Sequence, residues 1–167
     1  MMNHLILIAG VSRSGKSSLA EDLCARLENS IHLDQDEFVL PVQDIPLIND
    51  RTDWETPESI DWKKWKHKIQ ESLESYSYVI AEGIFALGDS TIIEIASTTI
   101  LLSISKEEYL ERRKKETRWG NEPDWFLEHV WDAHLKFHNP LNIKPDFELT
   151  NFYQANLEAI VARLKTI

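Results

Sequence analysis

Apolar and polar positions alternate along the chain in a pattern that predicts strands and helices in turn. Residues 5–9 are continuously apolar, which is typical of a strand covered on both faces. Leucines recur every four residues over the predicted helix 16–27, and a second strand follows at 31–33. Further strands are predicted at 76–81, 98–104 and 147–150. This alternation, with long connections, favours an α/β fold with a parallel sheet of about five strands and helices on both faces.

Polar capping residues indicate where the other helices begin. Thr56 followed by Pro57 predicts the start of a helix that runs to about residue 75. Ser105 and Glu108 form a capping box before a densely charged helix. Asn151 is predicted to cap the last helix, which ends near residue 165. Two other segments are predicted, an irregular stretch over 34–56 and a helix over 125–137.

Length and charge narrow the class of protein. A chain of 167 residues without a linker predicts one domain, residues 1–167. The formal net charge of −10 argues against a nucleic-acid binder held by phosphate contacts. No apolar run reaches the roughly eighteen residues of a membrane span, and the short apolar start lacks the basic region of a signal peptide. We therefore expect a cytoplasmic protein with no membrane partner, whose oligomeric state the sequence leaves open.

The segment G-V-S-R-S-G-K-S at positions 10–17 matches the phosphate-loop pattern G-x-x-x-x-G-K-[ST]. It lies between a predicted strand and a predicted helix, where backbone amides and the helix N-terminus can bind an anion. Lys16 is expected to contact the β- and γ-phosphates of ATP, and the Ser17 hydroxyl to bind Mg²⁺. The predicted nucleotide-binding residues of this loop are Gly10, Ser12, Arg13, Ser14, Gly15, Lys16, Ser17 and Ser18.

Acidic residues follow the second and third predicted strands. Asp36 comes after the second strand and Glu82 ends the third. Ligands of parallel α/β sheets bind at the carboxyl ends of the strands, and phosphoryl transfer to a hydroxyl needs a carboxylate beside Mg²⁺. Asp36 and Glu82 are therefore the predicted catalytic carboxylates, with Glu82 also a candidate metal ligand. Asp34 and Glu37 are expected to be solvated loop charges.

Five further segments, taken in order, resemble the nicotinamide riboside kinases and uridine kinases. These segments are Q-D-E-F-V-L-P at 35–41, D-W-E-T-P-E-S-I-D at 53–61, I-A-E-G-I at 80–84, the arginine-containing stretch 112–118 and H-V-W at 129–131. The resemblance implies a P-loop kinase that transfers phosphate from ATP, with Mg²⁺, to the 5′-hydroxyl of a nucleoside such as nicotinamide riboside, uridine or cytidine.

The same resemblance implies roles for individual residues on the acceptor side. Asp36 would take the proton of the ribose 5′-hydroxyl, and Glu82 would lie near the metal and that hydroxyl. Either Asp53 or Glu55 would hold the ribose 2′- and 3′-hydroxyls, and the sequence leaves this choice open. Three aromatic residues in predicted loops are candidates to stack on the base, namely Phe38, Trp54 and Trp119.

The resemblance also implies a lid over about 112–125. Arg112 and Arg113 would bind ATP, and Arg118 would contact the acceptor and stabilise the transferring phosphoryl group. Gly120 and Pro123 could absorb the change in backbone angles when the lid closes. The sequence shows no evident protein partner for all the donors of these arginines.

Two other functions are compatible with the phosphate loop. One is a P-loop kinase of another metabolite, such as a sugar acid or pantothenate. The other is a non-catalytic nucleotide-binding switch, which would not need carboxylates at the ends of two strands.

Overall fold

The computed structural model describes residues 3–118, 120–150 and 156–166. Within these ranges a parallel sheet contains β1 (His4–Gly10), β2 (Ser30–Asp34), β5 (Tyr78–Gly83), β6 (Thr98–Leu102) and β7 (Phe147–Leu149). Their spatial order is β2-β5-β1-β6-β7. A short antiparallel hairpin joins β3 (Leu47–Ile48) to β4 (Arg51–Thr52). The five-stranded parallel sheet predicted from the sequence is confirmed.

Helices connect the strands. They are α1 (Lys16–Arg26), α2 (Trp62–Ser75), α3 (Ser90–Ile95), α4 (Lys106–Lys114), α5 (Asp124–Phe137) and α6 (Leu157–Leu164). Three short 3₁₀ turns span Gln35–Phe38, Val42–Asp44 and Pro57–Ser59. Across the described residues, none of these helices is both long and apolar enough to cross a membrane.

The central strand β1 is apolar throughout because both of its faces are covered. Leu5 and Leu7 pack in one core with Trp65 of α2, whereas Ile6 and Ile8 pack in a second core with residues of α1 and α6. All five side chains are fully buried. Full burial of such a side chain stabilises the fold by roughly 1.5–3 kcal/mol. Helices therefore cover both faces of the sheet, as predicted.

A third, smaller core lies beyond the carboxyl end of β1. Val11 and Tyr109 pack there with Phe126 and Val130, so α4 and α5 meet the loop that follows β1. The Tyr109 hydroxyl donates to the Leu127 carbonyl at 3.1 Å, which ties the two helices together. This packing brings α4 and α5 over the edge of the sheet where a ligand is expected.

The start of α2 differs from the prediction. Thr56 and Pro57 begin only a 3₁₀ turn, and α2 begins at Trp62. The cap of α2 is Asp61, whose carboxylate accepts from the Lys64 amide at 3.1 Å. An intervening extended residue, Ile60, separates the turn from the helix.

Other predicted boundaries are confirmed or corrected. Ser105 caps α4 by accepting from the Glu108 amide at 3.1 Å, as predicted. The helix α3, capped by Asp89, was not predicted, and the segment 34–56 contains a hairpin and two 3₁₀ turns rather than only irregular backbone. The last helix has Asn156 as its cap. The predicted cap Asn151 lies outside the described residues.

Candidate active site

The loop after β1 needs both of its glycines. Gly15 has φ +97°, in the left-handed region that other residues rarely adopt. A Cβ atom on Gly10 would lie 2.6 Å from Ser14 Oγ and 2.7 Å from the Leu102 carbonyl. The loop therefore curls tightly against β6 as it leads into α1.

The N-terminus of α1 is open to an anion. Gly15 is its N-cap, no side chain accepts from its first amides, and its first turn contains no acidic residue. Uncapped amides and the positive end of the helix dipole both favour a bound phosphate. Lys16 Nζ donates to the Val11 carbonyl at 3.2 Å, which keeps the ammonium close to the loop. These features fit the phosphates of a nucleotide.

Glu82 is buried beside this loop and accepts two hydrogen bonds at one oxygen. Ser17 Oγ donates to Glu82 Oε1 at 2.6 Å, and His32 Nε2 donates to the same atom at 3.3 Å. Although burial opposes ionisation, these bonds and the Lys16 charge hold the pKa of Glu82 below its usual value. A serine hydroxyl next to an ionised carboxylate is a donor set that fits Mg²⁺.

Asp34 and Asp36 lie next to Glu82. Asp34 is the register partner of Glu82 across β2 and β5, and its Oδ1 accepts from the Asp36 amide at 2.9 Å. Burial and the neighbouring negative charges raise the pKa of Asp34 to about 6. Burial and Glu82 also raise the pKa of Asp36, against the opposing charge of Lys16. Asp34 is therefore a half-buried member of an acidic cluster, which corrects the expectation of a solvated loop charge.

Asp53 and Glu55 occupy different environments. Asp53 Oδ1 accepts from the Glu55 amide at 3.1 Å and from His129 Nε2 at 2.9 Å, so its carboxylate fixes the local backbone. The Glu55 side chain is buried and lines a cleft. Burial raises its pKa to about 7, although Arg113 opposes that rise. Of the two candidates for the ribose hydroxyls, Glu55 is the one whose side chain reaches the cleft.

The aromatic candidates for stacking on the base also occupy different environments. Phe38 packs against the core and meets the Trp65 ring edge-on at 5.1 Å between centroids. Its ring is held by apolar neighbours and is not part of the lining of the cleft, and its contact with the acceptor stays a prediction. Trp54 lines the cleft together with Phe126 of α5, which the sequence reasoning missed. Trp119 lies outside the described residues.

The predicted lid arginines contact the phosphate loop and acidic side chains. Arg113 is buried and binds Glu122 through two hydrogen bonds of 2.7 and 2.9 Å, and it also donates to Ser12 Oγ at 2.6 Å. The other two arginines also bind acids, Arg112 with Glu108 and Arg118 with Glu116. Each of these arginines therefore has an acidic partner that was not evident from the sequence.

One cleft of about 1140 Å³ brings most of these groups together. The predicted residues that line it are Ser12, Arg13, Gly15, Lys16, Ser17, Ser18, Asp36, Trp54, Glu55, Arg112, Arg113 and Arg118. The remaining predicted residues, which lie behind this lining or in the core, are Gly10, Ser14, Phe38, Asp53 and Glu82. The cleft thus joins the phosphate loop to the hairpin segment that carries Trp54 and Glu55.

Besides Phe126, two residues of the site were not singled out from the sequence. His32 contacts Glu82, and Arg51 lines the cleft. Glu122, which the sequence offered as a possible ribose-binding acid, instead binds Arg113. The period-two pattern of β2 could have drawn attention to His32, which lies on the same face of the strand as Asp34. Arg51 lies in a segment without regular periodicity, so nothing in its spacing indicates the cleft.

Comparison with known proteins gives relatives of one enzyme class. The chain is 30% identical over 156 residues to nicotinamide riboside kinase 1 from Homo sapiens, an alignment that covers 82% of this chain and 77% of that protein. It is 26% identical over 137 residues to the uridine kinase of Ureaplasma parvum serovar 3, covering 65% and 66% of the two chains. A gluconokinase structure from Sinorhizobium meliloti shares the fold with a TM-score of 0.57 at 22% identity, covering 98% of this chain and 90% of that one. No protein-family model matches the chain.

Proposed function

The chain belongs to the family of P-loop kinases that includes the nicotinamide riboside kinases and uridine kinases, and we propose that it transfers the γ-phosphoryl group of ATP to the 5′-hydroxyl of a nucleoside. Membership makes it a small-molecule kinase. The finer assignment, a nucleoside acceptor, is supported by one observation. A single cleft contains the phosphate loop, the carboxylate of Asp36, and the buried carboxylate of Glu55 beside Trp54.

The phosphate end of the cleft supplies positive charge and oxygen ligands. Lys16 and the amides at the start of α1 would hold the phosphates of ATP. Ser17 and Glu82 would hold Mg²⁺, which neutralises charge on the phosphates when bound. His32 supports this arrangement by fixing the Glu82 carboxylate through the 3.3 Å hydrogen bond.

Asp36 is the proposed general base. The 5′-oxygen forms a bond to the γ-phosphorus, the bond between that phosphorus and the bridging oxygen of ADP breaks, and the hydroxyl proton passes to Asp36. The raised pKa of Asp36 makes its carboxylate a stronger base than an ordinary aspartate. The nearby Lys16 charge opposes that rise.

Glu55 and Trp54 are proposed to hold the acceptor. A carboxylate can accept from two adjacent hydroxyls, so Glu55 suits the ribose 2′- and 3′-hydroxyls. Asp53 fixes the backbone at Glu55, because its carboxylate accepts hydrogen bonds from the Glu55 amide and from His129. Trp54 is partly exposed in the cleft and offers a flat face for the base.

The buried carboxylate of Glu55 predicts a cost in stability that depends on pH. Its pKa is about 7 in the folded chain against an ordinary value of 4.5, so between these pH values the folded state binds more protons than the unfolded state. The free energy of unfolding therefore falls as the pH rises from about 4.5 to 7. Glu55→Gln removes this loss and is expected to stabilise the chain at pH 8 by up to about 3 kcal/mol, with little effect near pH 4.5.

Chemical denaturation at the two pH values measures this difference. Glu28→Gln, which removes a charge from an exposed position, is the matched control and should change stability equally at both. A Glu55→Gln variant that gains no more stability at pH 8 than near pH 4.5 would show that ionising Glu55 carries no cost in the fold.

The segment 112–125 is proposed as a lid that closes over ATP and acceptor together. We expect amide hydrogen exchange over 112–118 to slow when an ATP analogue and a nucleoside are both bound. Arg118→Ala is expected to lower kcat more than it raises the KM for nucleoside, because its contact strengthens as charge moves in the transition state. Lys115→Ala, an exposed lysine paired with Glu111, is the control. Unchanged exchange together with a silent Arg118→Ala would contradict the lid.

A ligand panel tests the proposed acceptor class. Nucleosides that bind the folded chain in the presence of ADP and Mg²⁺ raise its thermal midpoint by mass action. We expect ribonucleosides to raise the midpoint of the ADP-bound chain and Glu55→Gln to weaken that effect. A sugar acid or pantothenate that raises the midpoint while all nucleosides fail to do so would contradict the proposal.

A further inference from the structure

Arg51 is a cation of the cleft that has no acidic partner among the described residues. It lies in β4, at the end of the hairpin, and lines the cleft close in sequence to Trp54 and Glu55. Its guanidinium carbon is 4.7 Å from the centroid of the buried Phe126 ring. Within residues 3–118, 120–150 and 156–166, no carboxylate pairs with this guanidinium and no hydrogen bond occupies its donors.

The other cations of the cleft belong to the phosphate loop or to the proposed lid. Lys16 and Arg13 are part of the phosphate loop, and Arg13 pairs with Glu116 at 3.0 Å. The remaining three are the lid arginines, each bound to an acidic side chain. Arg51 lies instead on the hairpin that leads into the proposed acceptor site. Its charge is therefore available to the acceptor rather than required by the phosphates.

The contact with Phe126 places the Arg51 guanidinium over the aromatic ring. The ring attracts the cation without accepting a conventional hydrogen bond, so the N–H groups of Arg51 remain available to an acceptor in the cleft. Two of these N–H groups can bind a carboxylate or a phosphate through parallel hydrogen bonds. Because the loop and the start of α1 already serve the phosphates, a carboxylate is the match left for Arg51. A cationic base without a negative substituent would instead be repelled by this charge.

We propose that Arg51 forms a carboxylate-recognition subsite at the acceptor end of the cleft, so that the preferred nucleoside carries a carboxylate on its base. This inference rests on the proposed nucleoside kinase function and specifies its acceptor. Arg51 is then a specificity-determining residue that contacts the base, with Trp54 offering the flat face of the same subsite.

A matched pair of acceptors tests the subsite. Nicotinamide riboside and the riboside of nicotinic acid differ only in a carboxamide against a carboxylate on the ring. We expect the wild-type chain to favour the carboxylate in kcat/KM, and Arg51→Met to lower kcat/KM for it roughly tenfold to a hundredfold, mainly through KM. The carboxamide riboside should be affected much less. Arg51→Lys keeps the positive charge but lacks the paired N–H donors of a guanidinium, so it should retain part of the preference for the carboxylate riboside.

Two controls separate charge and folding from recognition. Arg26→Met removes the same charge from the exposed end of α1 and should leave the ratio unchanged. Thermal midpoints of both Arg51 variants check their folding. Equal kcat/KM for the two ribosides, unmoved by Arg51→Met, would overturn the subsite while leaving the nucleoside kinase function in place.

A third acceptor, gluconate, tests whether the carboxylate bound by Arg51 belongs to a nucleoside base or to a sugar acid. If gluconate is phosphorylated in preference to both ribosides, the carboxylate is not carried by a nucleoside base and the proposal is overturned. If no nucleoside at all is phosphorylated, the proposed function fails and the subsite fails with it.

Discussion

Lys16→Ala is expected to lower turnover at saturating ATP by roughly a hundredfold or more while leaving the fold intact. The ammonium lies against the phosphate loop, 3.2 Å from the Val11 carbonyl, and it also offsets the negative charge of Asp36 and Glu82. Without the Lys16 ammonium, the negative charge that develops on the transferring phosphoryl group loses its main stabilising contact at the loop. Removal of one such electrostatic contact lowers kcat by roughly a hundredfold to a thousandfold.

The measurement is kcat for ADP formation at saturating ATP and nucleoside, together with the affinity for ADP. Lys63→Ala, an exposed lysine of α2, is the control for loss of a positive charge. Circular dichroism and the thermal midpoint establish that the Lys16 variant is folded. Turnover close to wild type would mean that the loop does not act as a phosphate-binding loop in catalysis.

Asp36→Asn is expected to lower kcat by about a hundredfold or more, the usual contribution of a general base. Asparagine keeps the size and the polar contacts of the side chain, but it cannot accept the proton of the hydroxyl. The affinity for an ATP analogue should stay nearly unchanged, because the phosphates are held by the loop and α1.

Asp34→Asn is the matched control for Asp36→Asn. Asp34 belongs to the same acidic cluster, and an asparagine there can still accept from the Asp36 amide as Oδ1 does at 2.9 Å. We expect it to lower kcat only a few-fold. Equal losses for the two variants would mean either that the wrong carboxylate was assigned or that both hold the metal.

Local signals in the sequence predicted the phosphate-binding half of the site. The loop pattern, the apolar run of β1 and the leucine spacing of α1 each depend on neighbouring residues only. The sequence could not give the contact between Asp34 and Glu82. Their strands are separated by a hairpin and α2, and only the sheet order makes β2 and β5 neighbours.

The partners of individual side chains around the cleft could not be predicted from the sequence either. Phe38 and Trp54 are both aromatic residues of loops, yet one packs on Trp65 and the other faces the cleft. Their difference follows from tertiary packing rather than from local pattern. The same holds for Arg113, whose partner Glu122 is brought to it by the packing of α4 against α5.

The most direct test of the central claim is to quantify all products of the reaction with ATP, Mg²⁺ and a nucleoside, using nicotinamide riboside, uridine and cytidine as acceptors. We expect one nucleoside 5′-monophosphate for each ADP, ADP formation that depends on the nucleoside, and loss of both products in Asp36→Asn. Release of inorganic phosphate at the same rate with and without every nucleoside, and no phosphorylated nucleoside, would contradict it.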